Sequence, residues 1–273
     1  MALYGVLADI HGNVEALRAV LETLELRGVQ RLLCPGDIVG YNADPDECAA
    51  IMRAKQATWR GLPGAEIVAG NHDLIATGQL GFERCAGNAA YALRRTRKRL
   101  APETAAWLRT LPGTRLVEDR IALVHGGVRD VQQYMTSVRH IRQNAAFLRE
   151  DLPRAQVCFF AHSHAQRVYR VVGDEVTDLS GETQYRLQRE PAESTLYFIN
   201  PGSVDAQRKR EHKVAEFALF DSLDWTLEFG RVGYDAASTE AKAAVFGYRI
   251  NLLIERLYGL RRQVRRLSAP RLR

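Results

Sequence analysis

The chain has 273 residues, 46% hydrophobic and 26% charged, a balance that fits one large globular domain with a small appendage and excludes a disordered or collagen-like chain. No apolar stretch approaches the ~20 residues that cross a bilayer, and Met1-Ala2-Leu3-Tyr4 lacks the basic flank and apolar run of a signal peptide, so a cytoplasmic protein with no membrane contact is expected. The net charge is +6, yet eight arginines against one acid, Glu255, place +7 between Arg249 and Arg273; attraction to phosphate polymers would act through that tail.

The first half alternates short apolar strands with helical patterns. Leu3–Ala8 reads as a buried strand, followed by Val14, Leu17, Val20, Leu21 and Leu24 at helical spacing with Asn13 as a cap. Arg31–Cys34 is a second strand, Asp46–Trp59 a second helix started by Asp44 and Pro45, and Glu66–Ala69 a third strand. This order implies a parallel sheet with crossover helices. Phe82–Leu111 reads as helical and carries the basic run Arg94–Arg99, whose default reading is a solvated face. Ile121–Val124 is a strand and Val138–Glu150 a helix. From there the pattern turns to strands: Val157–Ala161, Arg167–Val172, Gln184–Gln188, Leu196–Ile199, Val214–Phe220 and Thr226–Arg231. Two facing sheets with helices outside accommodate both halves.

The last segment has its own pattern. Phe246, Ile250, Leu253, Leu257, Leu260, Val264 and Leu267 recur at intervals of four and three, an a/d stripe with arginines on the other faces. It suits a dimer seam or docking on the body of the same chain. The expected division is therefore 1–237 as the main domain and 238–273 as a basic amphipathic helical extension. Cys34, Cys48, Cys85 and Cys158 are scattered without a Cys-x-x-Cys pair, which argues against a zinc ribbon or thioredoxin-type site.

Five short segments at predicted strand ends carry the chemistry: Asp9-Ile10-His11, Gly36-Asp37, Gly70-Asn71-His72-Asp73, His125-Gly126-Gly127 and His162-Ser163-His164. In α/β sheets the C-terminal strand ends share an edge where ligands bind, so residues ~150 positions apart can converge. Asp9, His11, Asp37, Asn71, His125, His162 and His164 supply carboxylate, imidazole and amide donors without thiolate, a set for Mn, Fe or Zn. Seven donors exceed one ion's needs and suit two ions bridged by a carboxylate. Singly, an Asp before a helix is more often a cap, and a His after a strand more often a surface residue; five such segments in one order outweigh that reading. Ser163 lacks a Gly-x-Ser-x-Gly elbow and is not read as a nucleophile.

These motifs resemble the calcineurin-like metallophosphoesterase superfamily over roughly Leu3 to Val204, including Asn200-Pro201-Gly202-Ser203-Val204. Gly36-Asp37-Ile38-Val39-Gly40-Tyr41 is similar to the small bacterial and archaeal phosphodiesterase branch. The resemblance implies a four-layer α/β/β/α sandwich of two mixed sheets, here with a C-terminal amphipathic helix. It implies one ion on Asp9, His11 and His164, another on Asn71, His125 and His162, and Asp37 between them. The ions would be divalent or trivalent, Mn²⁺ first, with Fe, Zn, Ni or Co also compatible. Two departures stand out. Ala161 replaces a common Gly, and Gly40-Tyr41-Asn42 stands where protein phosphatases and the diadenosine tetraphosphatase branch have Asp-Arg-Gly, which argues against a Ser/Thr protein phosphatase.

In the mechanism this implies, two cations lower the pKa of a bridging water, and the hydroxide attacks phosphorus in line. His72, beside Asn71, is assigned as the general acid for the departing oxygen, with Asp73 orienting its ring. Tyr41 and Asn42 are the candidate substrate contacts, with Arg129 and Arg94–Arg99 weaker ones. The leading reading is a phosphodiesterase on nucleotide-like or other small phosphoesters. Its rivals are a nuclease guided by the basic tail and a scaffold that has lost catalysis, as the retromer subunit of this superfamily has; retention of all seven donors and His72 argues against the scaffold. A homodimer through the tail is compatible with each.

Overall fold

The computed structural model describes residues 2–188, 195–205 and 213–248. The chain begins with β1 (Leu3–Val6), α1 (Val14–Leu26), β2 (Arg31–Cys34), α2 (Pro45–Ala57), β3 (Thr58–Trp59), β4 (Leu62–Pro63) and β5 (Glu66–Ile67). It continues through α3 (Asn71–Ala76), α4 (Gly87–Arg99), α5 (Pro102–Leu108), β6 (Thr114–Val117), β7 (Ile121–Val124) and α6 (Val138–Asp151). The remainder is β8 (Val157–Phe159), β9 (Gln166–Val172), β10 (Glu175–Asp178), β11 (Gln184–Arg186), β12 (Thr195–Pro201), β13 (Val214–Asp221), β14 (Thr226–Gly233) and α7 (Ala236–Val245).

Two six-stranded sheets result, in the orders β11-β14-β13-β1-β2-β5 and β10-β9-β12-β8-β7-β6. Each is mixed. β1, β2 and β5 run parallel, as do β7, β8 and β12, while antiparallel strands complete both sheets. Strand alternation sorts the core into layers. Tyr4, Val6, Leu33, Val157, Phe159, Ile199 and Phe220 meet between the sheets. Their neighbours Leu32, Cys34 and Phe217 turn outward against Leu17, Val20 and Leu24 of α1, and Cys158, Phe160 and Phe198 turn outward against Ile141, Ala145 and Leu148 of α6. Helix, sheet, sheet and helix are the four layers the sequence implies.

Several boundaries differ from the sequence reading. The second helix stops at Ala57 because Arg60 and Gly61 both adopt left-handed φ (52° and 76°); these form a two-residue hairpin turn pairing β3 with β4. Phe82–Leu111 is not one helix: Pro102 cannot continue α4 and instead starts α5 at its first position. The edge strands β6 and β10 have no uninterrupted apolar run to announce them, and β10 has no buried residue. Asn13 caps α1 as expected, accepting from Ala16 N at 3.1 Å, whereas Asp44 makes no side-chain cap to α2.

At the C-terminal side, α7 begins at Ala236, two residues before the expected extension. It closes on Gly247 (φ 68°), with Tyr248 N donating to Ala243 O at 2.7 Å, a glycine-terminated helix end. Phe246 therefore lies beyond α7, and the rest of the predicted a/d stripe falls outside the described residues. α7 is tied to the N-terminal half: Lys242 Nζ lies 2.5 Å from both Glu15 Oε1 and Asp44 Oδ2, and the Thr239 hydroxyl reaches Asn13 Oδ1 at 3.1 Å. Ala243 and Tyr248 pack with Tyr41, Ala43, Ala89 and Ala92. Among the described residues no helix is long and apolar enough to cross a membrane.

Candidate metal centre

The parallel strands of the two sheets deliver their C-terminal loops to one place. Asp9 and His11 follow β1, Asp37 follows β2, Asn71 and His72 open α3 after β5, His125 follows β7, and His162 and His164 follow β8. The loops are stitched together through the backbone. Ile10 N and His11 N donate to Asp37 O at 2.8 and 3.0 Å, Ala161 N donates to His125 O at 2.8 Å, and Asp205 N donates to Asp9 O at 3.0 Å. All seven predicted donor residues are buried. Nine described non-glycine residues have left-handed φ, and five of them are Asp9, His11, Asp37, His162 and His164. That region costs roughly 1–2 kcal/mol per residue, and strain of this kind collects at functional sites.

Three groups of side chains lie close enough to share a cation: Asp9, His11 and His164; His11, Asp37 and His72; and Asp37, His125 and His162. His164 Nε2 is 3.1 Å from His11 Nε2 and 3.6 Å from Asp9 Oδ1. Asp37 Oδ2 is 3.2 Å from His125 Nε2 and 3.7 Å from His11 Nε2, so it faces both halves. Asn71 Oδ1 lies 2.9 Å from His125 Nε2. Donors ~2.1 Å from a common ion stand about 3–4 Å apart, and these separations fall in that range. The chemistry fits too: His125 Nδ1 sits 2.8 Å from the Pro35 carbonyl, which requires a proton there and turns Nε2 to Asn71 Oδ1 and Asp37 Oδ2, where a cation would take the place of a proton.

The residues around the donors fix their aim. His72 N, in the first turn of α3, donates to Asp37 Oδ1 at 2.8 Å, which leaves Oδ2 for the centre. Gly70 is required beside it, since a Cβ there would stand 2.0 Å from Asp37 Oδ1. Asp73 is engaged differently from the sequence reading. Its carboxylate accepts from Asp37 N, Ile38 N, Val39 N and Gly70 N at 2.9–3.0 Å, so it holds the Asp37 loop to α3 rather than the His72 ring. Burial and the Asp37 charge push Asp73 up to about 7, against the N–H donors that favour its ionised form. Burial also works to raise Asp37, but His125, His72 and His11 outweigh it and hold this carboxyl well below the usual range. Burial depresses His125, yet the Asp37 carboxylate carries it up to about 9.

His72 and Tyr41 lie at the edge of the cluster, with ring centroids 4.5 Å and 4.7 Å from His11. Asn42 turns inward: it is buried, and its Nδ2 donates to the His11 carbonyl at 3.3 Å, which braces the β1 loop. Ser163 Oγ accepts from Asn200 Nδ2 at 3.0 Å. Arg94, Arg97, Lys98 and Arg99 are exposed, Arg95 half-buried and Thr96 buried, and the guanidinium groups lie on the chain's own rings: Arg94 and Arg97 on Phe82, Arg95 on Tyr91, Arg99 on Phe246. Arg129 pairs with Glu150 and Asp151.

Sequence reasoning missed the supports. Asn200 Nδ2 also donates to Ala161 O at 2.9 Å, the Ser203 hydroxyl lies 3.1 Å from Asp9 O, and Asp205 Oδ1 accepts from Asn13 Nδ2 at 3.0 Å. The Asn200–Val204 motif signalled a closing loop without showing what it closes on. Tyr134, whose ring centroid lies 4.0 Å from that of His162 at an inclination of 31°, has no pattern around it that could have marked it.

Two facing mixed sheets, with a donor cluster of this kind at their shared strand ends, define the metallophosphoesterase class of fold. The sequence profile of the calcineurin-like phosphoesterase superfamily domain matches residues 2–224, and the chain belongs to that superfamily, one of dinuclear metal-dependent enzymes in which membership implies phosphoester hydrolysis. An uncharacterized protein of Methanocaldococcus jannaschii is 29% identical over 241 residues, covering 86% of this chain and 88% of that protein. A metallophosphoesterase from Sphaerobacter thermophilus superposes with a TM-score of 0.70 at 26% identity, covering 94% of this chain and 98% of its own. A hypothetical protein from Pyrococcus horikoshii OT3 shares the fold with a TM-score of 0.69 at 19% identity over the same shares.

Proposed function

We propose that this chain is a metal-dependent phosphodiesterase acting on small, nucleotide-like phosphoesters. In this reading Asp9, His11 and His164 hold one cation, Asn71, His125 and His162 hold the other, and Asp37 is shared. The observation that carries it is the placement of Asp37 Oδ2 between His125 Nε2 and His11 Nε2, with a donor group on either side. Buried carboxylate and imidazole donors gathered this closely are an arrangement that bound cations satisfy. When bound, two such cations supply Lewis acidity and lower the pKa of water to near neutrality. Imidazole, carboxylate and amide donors suit Mn²⁺, with Fe, Zn, Ni and Co as compatible occupants.

The chain's own residues do the rest. His72 passes its imidazole proton to the departing oxygen, and Asp73 keeps Asp37 and α3 in register. Tyr41 stands where the resemblance places an arginine that would hold the second charge of a monoester, which favours a singly charged diester, and Asn42 supports the site from within through the His11 carbonyl. The four cysteines carry no disulfide, which fits a reducing, cytoplasmic setting.

Metal-stripped protein is expected to hydrolyse bis-p-nitrophenyl phosphate on addition of Mn²⁺, and faster than p-nitrophenyl phosphate. No turnover with any divalent ion, despite two bound per chain, would replace this reading with a silent scaffold. A second expectation concerns Gly40, where a Cβ would lie 2.4 Å from His11 Nδ1 and 2.7 Å from His72 Nδ1. Gly40→Ala must displace both rings and should weaken Mn²⁺ binding about 10–100-fold, as loss of a ligand's support does. Unchanged affinity in a calorimetric titration would show that neither ring needs its present place.

A further inference from the structure

We propose that α7 and the turn after it clamp the edge of the metal centre, with Tyr248 as a positioning residue that holds Tyr41 beside His11 and His72. The inference rests on the proposed function, since it takes Tyr41 as a contact of the phosphoester. It extends that reading to residues outside the matched domain. The superfamily profile ends at residue 224, and both α7 and Tyr248 lie beyond it.

Residues 38–44 belong to no helix or strand, so whatever holds them decides where Tyr41 stands. Its ring centroid is 4.7 Å from that of His11 and 4.8 Å from that of His72. Two backbone bonds tie this loop to the one after β1: Asn42 N donates to His11 O at 2.9 Å, and Asp44 N to Gly12 O at 3.2 Å. The C-terminal segment supplies further supports at both ends. Lys242 Nζ lies 2.5 Å from Asp44 Oδ2 and from Glu15 Oε1, so one ammonium pins the end of the loop to α1. At the other end the buried Thr96 hydroxyl reaches Gly40 O at 3.0 Å, and the Tyr248 hydroxyl lies 3.4 Å from Thr96 Oγ1.

Packing joins the same two places. Tyr41 and Tyr248 share one buried apolar cluster whose other buried members are Ala43, Ala89, Ala92 and Ala243. Alanines cannot expand into the space a lost ring leaves, so removing Tyr248 opens a void beside the loop. Tyr248 is itself fixed from behind. The left-handed turn at Gly247 lays it back on α4, where Arg95 Nη1 donates to Phe246 O at 3.4 Å and the Arg99 guanidinium lies 4.1 Å from the Phe246 ring centroid. A helix that merely covered α1 would need neither the Asp44 contact nor the path through Thr96 to Gly40. Both end on the segment that carries Tyr41.

The test follows amide hydrogen exchange, metal content and hydrolysis of bis-p-nitrophenyl phosphate in the Mn²⁺-loaded full chain. In Tyr248→Ala, exchange across residues 40–44 should quicken about tenfold or more, while residues 121–127 keep the wild-type rate. KM should rise about three- to tenfold with kcat nearly unchanged, the mark of lost substrate binding rather than lost chemistry. Both ions should stay bound. Tyr41→Ala/Tyr248→Ala should show no higher KM than Tyr41→Ala alone, because a residue that acts through another adds nothing once the other is gone. Tyr248→Phe, which keeps the ring, should recover most of the wild-type KM. If Tyr248→Ala fails to fold, Lys242→Met applies the same exchange test with every ring of the cluster in place. Unaltered exchange at 40–44 in a folded variant, additive KM increases, or an ion lost with the ring overturns the clamp and leaves the phosphoesterase reading standing. Quickened exchange in a protein whose wild type hydrolyses no phosphoester with any divalent ion keeps the clamp and overturns that reading.

Discussion

Replacing Asp37 with alanine is expected to lower the bound metal from two ions per chain to one or fewer and to cut turnover by about 10³-fold or more, a loss of about 4 kcal/mol of transition-state stabilisation. Asp37 lies both in the group with His125 and His162 and in the group with His11 and His72. Its Oδ2 lies 3.2 Å from His125 Nε2 and 3.7 Å from His11 Nε2, and its Oδ1 anchors the first turn of α3 through His72 N. Removing the carboxylate leaves imidazoles facing one another with half the negative charge gone. Asp37→Asn keeps the shape and the hydrogen bond to His72 N but not the charge, so it separates the two contributions. It should fold like the wild type and still lose an ion. Elemental analysis alongside bis-p-nitrophenyl phosphate turnover decides the matter: two ions retained in Asp37→Ala would remove Asp37 from its shared position.

The second large effect is expected at His72. His72→Asn should lower kcat by about 10²–10⁴-fold, the usual contribution of a placed general acid, with two ions still bound. The loss depends on the leaving group in a way that a merely structural role would not produce. p-Nitrophenolate departs without needing a proton, so its diester should be affected least, and an alkyl alcohol leaving group most. Equal losses for both leaving groups, or metal lost in parallel with rate, would assign His72 to holding the site rather than to proton transfer. The ring is 4.5 Å from that of His11, so metal content must be measured in the same samples.

Much of this was legible in the chain itself, for identifiable reasons. β2 is apolar from Leu32 to Cys34 and β7 is apolar throughout, and they run into Pro35-Gly36-Asp37 and His125-Gly126-Gly127, which mark their C-terminal ends by composition. The donor residues were visible because the parallel strands set them at corresponding ends, which periodicity reveals. The edge strands β6 and β10 were not visible, since an exposed strand has no apolar alternation to announce it. Asp73 was misleading for a different reason. Beside His72 in sequence it looks like that ring's partner, but α3 starts at Asn71 and directs the Asp73 carboxylate to the backbone N–H groups of residues 37–39. Adjacency along the chain says little about direction at the start of a helix. Asn42 repeats the lesson: a polar residue after the Asp37 loop is used to brace the His11 carbonyl.

The left-handed backbone of Asp9, His11, Asp37, His162 and His164 acts as a filter on coordination chemistry. Aspartate, asparagine and histidine are the side-chain-bearing residues that tolerate this conformation best, and they are also hard or intermediate donors through oxygen and nitrogen. Cysteine and glutamate, which are also metal ligands, are not among the residues enriched there, although Glu118 adopts it outside the site. Loops bent this way therefore admit the ligands of Mn, Fe and Zn hydrolases and resist drifting toward thiolate sites. The palette of metals is restricted by the shape of the main chain before any side chain is chosen.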